Sequence, residues 1–218
     1  RDSVRTLRAY SGCFTTNNLK SKLMKKTWIV AGAMVALASM AQAAPTEYLH
    51  TGDWTQQGRW KNGDMPVTGD TVKYVQAGTL TVSTGVNTKD SRFGLITLGN
   101  NGGNATLKVD GNGSGKLYAT GLNVGHWDNY GGIVDLKNGR LDVQKADNTG
   151  ETHIGQYATG TGTLNVSGGI FMTDKLHIGY GASTGVVNQN GGSVWADDLV
   201  LGTAGGGNST YNLKGGML

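Results

Sequence analysis

The chain has 218 residues, of which 37 are Gly, 2 are Pro and 1 is Cys, and its formal net charge is +4. Gly shows no three-residue period and Pro is nearly absent, which excludes a collagen triple helix. The low net charge argues against a disordered tail, and a single Cys cannot form a disulfide within the chain.

The N-terminal region carries the pattern of a secretory signal peptide. Met24 is followed by two Lys residues, an apolar run over residues 28–40 and an A-x-A site at residues 41–43. These three parts in this order predict a signal peptide over residues 24–43 that is cleaved between Ala43 and Ala44. An uncleaved membrane anchor is the alternative, but the run is shorter than the roughly 20 apolar residues that span a bilayer.

Residues 1–23 precede the first Met and are interpreted as an upstream leader that does not belong to the native protein, with an extended export leader as the alternative. Residues 1–43 hold 7 of the 19 basic residues and 1 of the 15 acidic residues, which leaves a mature part with a net charge of −2. Because no basic patch remains in that part, nucleic acid is not an expected partner.

Two short sequence tags alternate through the second half of the chain. The first tag, apolar–x–apolar–Gly, ends at Gly99, Gly125, Gly155, Gly179 and Gly202. The second, a run that alternates apolar and polar residues, ends at Gly115, Gly139, Gly169, Gly192 and Gly216. The repeat is about 24 residues long, apart from an insertion at residues 146–151. A fixed period of this length is typical of a solenoid.

Apolar and polar residues alternate around both tags, which predicts short strands with one buried face. Three such strands per coil predict an all-β fold, a parallel β-helix whose inward residues, such as Val134, Leu164 and Val187, stack along one axis. A second column of Asp135, Asn165, Asn188 and Asn212 is expected to form an amide ladder. A β-sandwich is the alternative, but it does not require columns at a fixed period.

The expected domain organisation has two parts after the signal peptide. Residues 44–92 lie outside the repeat and are interpreted as an N-terminal β cap, in which Trp54 and Trp60 cover the end of the core. Residues 93–218 form the repeats. Because the sequence stops within a strand at Leu218 with no polar cap, the solenoid is expected to continue in a longer protein.

The repeats GTGTLNVSGGIFMTDKLHIGYGASTGVVNQNGGSVWADDLVLG are similar to those of exported bacterial β-helix proteins of the autotransporter-passenger type, and to those of surface proteins with a PEP-CTERM sorting segment. The resemblance covers about residues 94–218. It implies a right-handed β-helix, secretion across the inner membrane and display at the outer surface. Full-length members end in a β-barrel translocator or a sorting tail, so contact with the membrane is expected only through such a missing segment.

Several polar residues fall into columns that could bind a metal ion or take part in catalysis. His153 and His177 are expected to lie about 5 Å apart in adjacent coils. An exposed ladder is favoured over a metal site, because zinc requires three or four ligands and the flanking residues of the column, Asn123 and Val200, complete such a set poorly.

Acidic side chains also stack in the repeat. Asp174 and Asp197, with Asp198 adjacent, are interpreted as solvated turn residues rather than as a calcium site or a glycosidase acid–base pair. Lys116, Arg140 and Asp142 are the nearest approach to the mixed acidic and basic cluster of a β-helical lyase.

Aromatic residues follow the first Gly tag on the turns. Trp127, Tyr157 and Tyr180 are predicted to face outward along one edge and to contact glycans, the alternative being that they cover the turn below them.

The sequence predicts a secreted or surface-displayed β-solenoid that serves as a structural and adhesive passenger module, located outside the cell or at the outer membrane. No catalytic residue, cofactor or metal site is predicted, and the common nucleotide, zinc-protease and serine-hydrolase motifs are not found. The expected partners are surface glycans or other cell-surface components. A polysaccharide-active lyase or hydrolase is the alternative function.

Overall fold

The computed structural model describes residues 46–48, 51–74, 76–100, 103–126, 129–157, 159–203 and 205–218. The leader and the signal peptide, with the predicted cleavage site at Ala43 and Ala44, lie outside the described residues. The described residues form a β-solenoid of about 6 turns with almost no helix, which confirms the predicted fold class. Within these ranges, no helix is long and apolar enough to cross a bilayer.

The strands form two sheets in which all neighbouring strands are parallel. The first sheet contains β1 (Thr46–Tyr48), β3 (Val72–Tyr74), β5 (Phe93–Leu98), β7 (Lys116–Val124), β9 (Arg140–Val143), β10 (Glu151–Ile154), β12 (Ile170–Ile178) and β14 (Ser193–Leu201). The second contains β2 (Gly52–Asp53), β4 (Gly78–Val82), β6 (Ala105–Val109), β8 (Gly131–Leu136), β11 (Thr161–Val166), β13 (Thr184–Gln189) and β15 (Asn208–Leu213). Each turn of the chain adds one layer to both sheets.

The sequence predicts three strand segments for each repeat. In most turns of the solenoid, two of these segments form one continuous strand. The nine-residue strands β7, β12 and β14 each cover both segments, whereas β9 and β10 are separated by residues 144–150. In β12 the neighbouring residues Thr173 and Asp174 are both buried, so the inward alternation changes phase there without a break in the strand. The loop at residues 144–150 overlaps the insertion predicted at residues 146–151, whose last residue, Glu151, is the first residue of β10.

The backbone register places the predicted columns one above another. Leu164 pairs with Val134 on one side and with Val187 on the other, and all three side chains are fully buried. Because each turn covers the apolar surface of the next, the core is a continuous column rather than a single cluster. The stacking of these three residues, which the sequence predicts, is therefore confirmed.

The amide ladder runs along the outer face of the second sheet. Asn165 donates to Asp135 at 2.8 Å, Asn188 donates to Asn165 at 3.0 Å, and Asn212 donates to Asn188 at 2.8 Å. This confirms the predicted ladder. Each amide satisfies the next in the manner of cross-β stacks, so the ladder reinforces the same register as the core column.

Glycine is required at the turn that separates the two sheets. Gly155 has a φ of +75°, and a Cβ on this residue would collide with the backbone carbonyl of Thr184 in the next turn. Gly125 and Gly179 adopt the same conformation in the neighbouring turns, with φ of +69° each. A left-handed conformation combined with close backbone contact explains why the first tag always ends in Gly.

The solenoid register begins at Thr46, because β1 pairs with β3 and β3 pairs with β5. Tyr48, Trp54 and Trp60 are buried at this end of the stack, and the Trp60 indole donates a 2.9 Å hydrogen bond to the carbonyl of Trp54. Two short 3-10 helices, Gln57–Arg59 and Lys61–Gly63, flank Trp60. The segment interpreted as a cap thus holds two strands of each sheet as well as the buried tryptophans.

Candidate functional site: the histidine edge

Polar and aromatic side chains line one edge of the solenoid, on both sides of the Gly turn. Asn123, His153 and His177 are register partners in β7, β10 and β12. His126, Gln156 and Tyr180 follow the turn glycines, and backbone hydrogen bonds link Gln156 to Gly125 and Tyr180 to Gly155. We call these six residues the histidine edge.

The side chains of the histidine edge contact one another across turns. Nδ1 of His153 lies 3.2 Å from Oδ1 of Asn123 and 3.2 Å from Nε2 of Gln156. Nδ1 of His126 contacts Oε1 of Gln156 and lies 3.3 Å from Nδ2 of Asn123. The polar groups therefore form one network that joins two turns of the solenoid.

The two stacked histidines are less exposed than the sequence predicts. Their ring centroids lie 4.8 Å apart with an interplanar angle of 22°, which confirms the predicted spacing. His153 is only 7% exposed, however, so the expectation of an exposed ladder is wrong for this residue. Gln156 bonds to its ring and Tyr180 packs edge-on against it at 5.2 Å, and these turn side chains screen it from solvent.

Burial lowers the pKa of two imidazoles of the histidine edge, His126 and His153. Desolvation, reinforced by the neighbouring His177, lowers the pKa of His153 to about 4 against the weaker opposing effect of Glu151. Desolvation also lowers the pKa of His126. His153 is therefore a neutral imidazole at neutral pH and can accept a hydrogen bond or bind a metal through a ring lone pair.

Glu151 is the functional residue that sequence reasoning missed. It lies two residues before His153 in β10, so both side chains project from the same face of the strand, and its Oε2 is 3.8 Å from Nε2 of His153. One ligand atom from each of Glu151, His153 and His177 can be chosen so that all three lie within 4.8 Å of one another. The Glu-x-His spacing was the available signal, but the preceding insertion hid the start of this strand.

An open cleft of about 430 Å³ lies beside this group. It is lined by Glu151, His153 and Gln156 from the turn, by Asn123 from the turn below, and by Lys145 and Thr149 from the loop that precedes β10. The loop at residues 144–150 thus forms one wall of this polar recess.

The predicted glycan contacts are only in part within the described residues. Trp127 lies outside them. Tyr157 and Tyr180 are 46% and 38% exposed and stand on successive turns of the same edge. The ring of Tyr157 packs 5.0 Å from His126, and that of Tyr180 packs against both His153 and His177. Their role in binding glycans stays a prediction.

The prediction that Asp174 is a solvated turn residue is wrong. Asp174 is 1% exposed, and its Oδ2 accepts hydrogen bonds from the backbone N–H groups of Lys145, at 2.9 Å, and Gly150, at 2.7 Å. The carboxylate therefore holds both ends of the loop at residues 144–150. Asp197 and Asp198 are exposed, as predicted, but they lie within strand β14 and not in a connecting turn.

Of Lys116, Arg140 and Asp142, the last two form a structural ion cluster with Arg92. Asp142 is 1% exposed, with Arg140 bonded to its Oδ2 at 2.6 Å and Arg92 bonded to its Oδ1 at 2.7 Å. Lys116 is the register partner of Arg140. Because both carboxylate oxygens already accept charged donors, this acid is not arranged to accept a proton from a substrate.

Comparison of the chain with protein-family models, with curated proteins and with solved structures found no match.

Proposed function

We propose that the chain is an exported β-solenoid module that acts at the cell surface as a structural and adhesive element, and that it contacts carbohydrate along the histidine edge. The observation that carries this proposal is the placement of Tyr157 and Tyr180, exposed on successive turns beside a polar cleft. Aromatic faces next to hydrogen-bonding groups suit sugar rings, which have apolar faces and polar rims.

The architecture supports a structural role. The core column and the amide ladder both run along the solenoid axis, so each turn is fixed by its neighbours on two faces. A rod of this kind holds its edge residues at the spacing of successive turns, about 4.8 Å. Residues on neighbouring turns are thus held in fixed positions for contact with one extended ligand.

Carbohydrate contact is tested by calorimetric titration of the full chain with cellohexaose, xylohexaose and chitohexaose. We expect at least one of them to bind, and the double variant Tyr157→Ala/Tyr180→Ala to bind it at least about tenfold more weakly, since loss of stacking on each ring costs on the order of 1 kcal/mol. Trp195→Ala is the control, because Trp195 is 51% exposed on β14 and outside the edge. Failure of all three sugars to bind, or equal binding by the double variant, would reject the contact.

Export is tested separately by expressing the full chain in a Gram-negative host and sequencing the N-terminus of the exported product. The A-x-A site predicts a product that begins at Ala44. Ala43→Gln should block this cleavage, whereas Gln42→Asn, at the unconstrained middle position of the site, should not. A product that retains Met24 would contradict the predicted signal peptide.

A polysaccharide-active enzyme is the alternative, and a second cleft favours it. This cleft of about 450 Å³ is lined by Tyr118 and by Lys116 and Arg140. The two cationic side chains suit an acidic polymer. Incubation of the full chain with polygalacturonate and alginate would reveal a lyase through the ultraviolet absorbance of unsaturated products. Product formation that is lost in Lys116→Ala would replace the structural and adhesive proposal, and no product from either polymer would reject this lyase.

A further inference from the structure

We propose that Glu151, His153 and His177 form a binding site for a divalent transition-metal ion of the zinc class. The site goes beyond the proposed carbohydrate contact and does not depend on it. One nitrogen from each imidazole and one carboxylate oxygen lie within 4.8 Å of one another, and the His153 Nε2 to Glu151 Oε2 distance is 3.8 Å. Bonds of about 2.0–2.2 Å in a tetrahedral zinc site put neighbouring ligand atoms roughly 3.5 Å apart. Because each imidazole lone pair lies in the plane of its ring, the two stacked rings must rotate about their side-chain bonds to direct both lone pairs at one ion.

The backbone holds the three ligands in this arrangement without any loop. His153 and His177 are register partners in the parallel strands β10 and β12, and Glu151 projects from the same face of β10 as His153. The rings are already stacked 4.8 Å apart. Because the strand ladder fixes all three Cα positions, little conformational entropy is lost when an ion binds.

The neighbours of His153 support metal binding through Nε2. Its Nδ1 lies 3.2 Å from both Oδ1 of Asn123 and Nε2 of Gln156. In the tautomer with the proton on Nδ1, that proton is donated to Asn123, and the Nε2 lone pair is directed to the side of Glu151. A hydrogen bond from the non-coordinating nitrogen to an acceptor is the usual outer partner of a metal-bound histidine. Asn123 is therefore a positioning residue of the proposed site.

The environment of His177 leaves one ring nitrogen without a hydrogen bond among the described residues. This nitrogen, Nδ1, is buried. In the turn below, Nε2 of Gln156 lies 3.2 Å from Nδ1 of His153. The residue at the equivalent position in the turn of His177 is Tyr180, which packs edge-on against the His177 ring. No such partner fixes the tautomer of His177, so the ring can present the lone pair that coordination requires.

The types of ligand in the group select the kind of ion. Glu151 is the single carboxylate of the set, Lys175 is its register partner in β12, and Lys145 lines the adjoining cleft. Calcium and magnesium favour several oxygen ligands, whereas imidazole favours zinc, copper and nickel. The Glu151 side chain is 46% exposed beside the open cleft, so a fourth coordination position remains accessible to water or to a ligand.

The experiment is a calorimetric titration of the full chain with Zn²⁺ after removal of bound metal with EDTA and dialysis. We expect one zinc ion per chain, more than tenfold weaker binding in both Glu151→Gln and His177→Gln, and about 10- to 100-fold weaker binding in Asn123→Leu. Asp198→Asn and His50→Gln are the controls: the first neutralises an exposed carboxylate on β14, and the second removes an imidazole that lies outside the described residues.

Imidazole nitrogen chemical shifts supply a readout that a general loss of stability does not move. At a zinc concentration that just saturates the wild-type chain, zinc should shift Nε2 of His153 in the wild-type chain and much less in Glu151→Gln. Because Glu151 is half-exposed, Glu151→Gln should keep the wild-type melting temperature in EDTA and remain informative even where His177→Gln fails to fold. No zinc binding by the wild-type chain, or equal binding by Glu151→Gln, would overturn the proposed site.

Discussion

Arg92 reaches across one full turn of the solenoid to Asp142, to which its Nη1 donates a 2.7 Å hydrogen bond. The residue between them in the stack is Tyr118, whose ring lies 5.4 Å below the Arg92 guanidinium. Arg140 approaches the same carboxylate from its own strand. The cluster therefore ties three successive turns together through side chains, in addition to the backbone ladder.

Asp142→Asn should lower the melting temperature of the chain by about 6 to 12 °C. Loss of the buried charge leaves two guanidinium groups without their anion, which costs about 3 kcal/mol for a buried pair, and each kcal/mol moves the melting temperature of a chain this size by about 2 to 4 °C. Thermal unfolding followed by circular dichroism measures the change. The exposed Asp197→Asn is the control, and an equal effect of both substitutions would contradict the interpretation.

Asn188→Ala should destabilise the protein more than Asn212→Ala. Asn188 bonds to both Asn165 and Asn212, whereas Asn212 makes one ladder bond at the end of the stack. The loss of two amide hydrogen bonds predicts a cost on the order of 1 to 2 kcal/mol for Asn188→Ala and about half of that for Asn212→Ala. Urea unfolding of the two variants provides the comparison, and an unchanged midpoint for Asn188→Ala would show that the ladder adds no stability.

Gly155→Ala should cost at least about 2 kcal/mol, since a left-handed conformation is unfavourable for Ala and the new Cβ would meet the carbonyl of Thr184. Gly58→Ala is the matched control, because a Cβ there would have open space around it and no positive φ is imposed. The melting temperatures of the two variants test the difference. Equal values would mean that the turn relaxes without cost.

The stability of the protein should fall as the pH decreases from about 6.5 to about 4. His153 has a pKa of about 4 in the folded state and an ordinary value of 6.5, so the unfolded chain takes up a proton in this interval before the folded chain does. The contribution of His153 is complete above pH 6.5 and is lost as the pH falls to 4. The shift corresponds to on the order of 3 kcal/mol.

Melting temperatures of the wild-type chain and of His153→Gln, measured in EDTA between pH 4 and pH 8, test this dependence. His126, Glu151 and His177 are the titratable groups whose charges act on His153, and all three remain in the variant. The variant should therefore lose only the part of the pH dependence that belongs to His153. Parallel curves for the two proteins would contradict the assignment.

The sequence was sufficient to predict the repeat but not the features that interrupt it. The columns of Val134 and Asn165 follow from alternation and from the Gly spacing, which are both local properties of each repeat. The burial of Asp174 depends on a loop of residues 144–150 whose path no periodic pattern specifies. Arg92 lies before the first predicted repeat, so nothing in the pattern relates it to Asp142, 50 residues away.

The repeat pattern also predicts only part of the histidine edge. The spacing of His153 and His177 was predictable because both precede a tag glycine by two residues. The burial of His153 was not, because it depends on side chains from the turns above and below, such as Asn123 and Tyr180. Sequence periodicity thus gives positions along the axis and says little about how side chains shield one another at an edge.

Asp174 accepts hydrogen bonds from the backbone of Lys145 and Gly150, at the two ends of the loop of residues 144–150. The path of this loop is therefore independent of the strand pairing in the solenoid. Its two ends are held by one carboxylate while β9 and β10 keep their partners on either side. We therefore expect that peptides of other lengths can be grafted between Lys145 and Gly150 without a change of strand pairing. This position offers a designer a display site next to a polar recess of the solenoid.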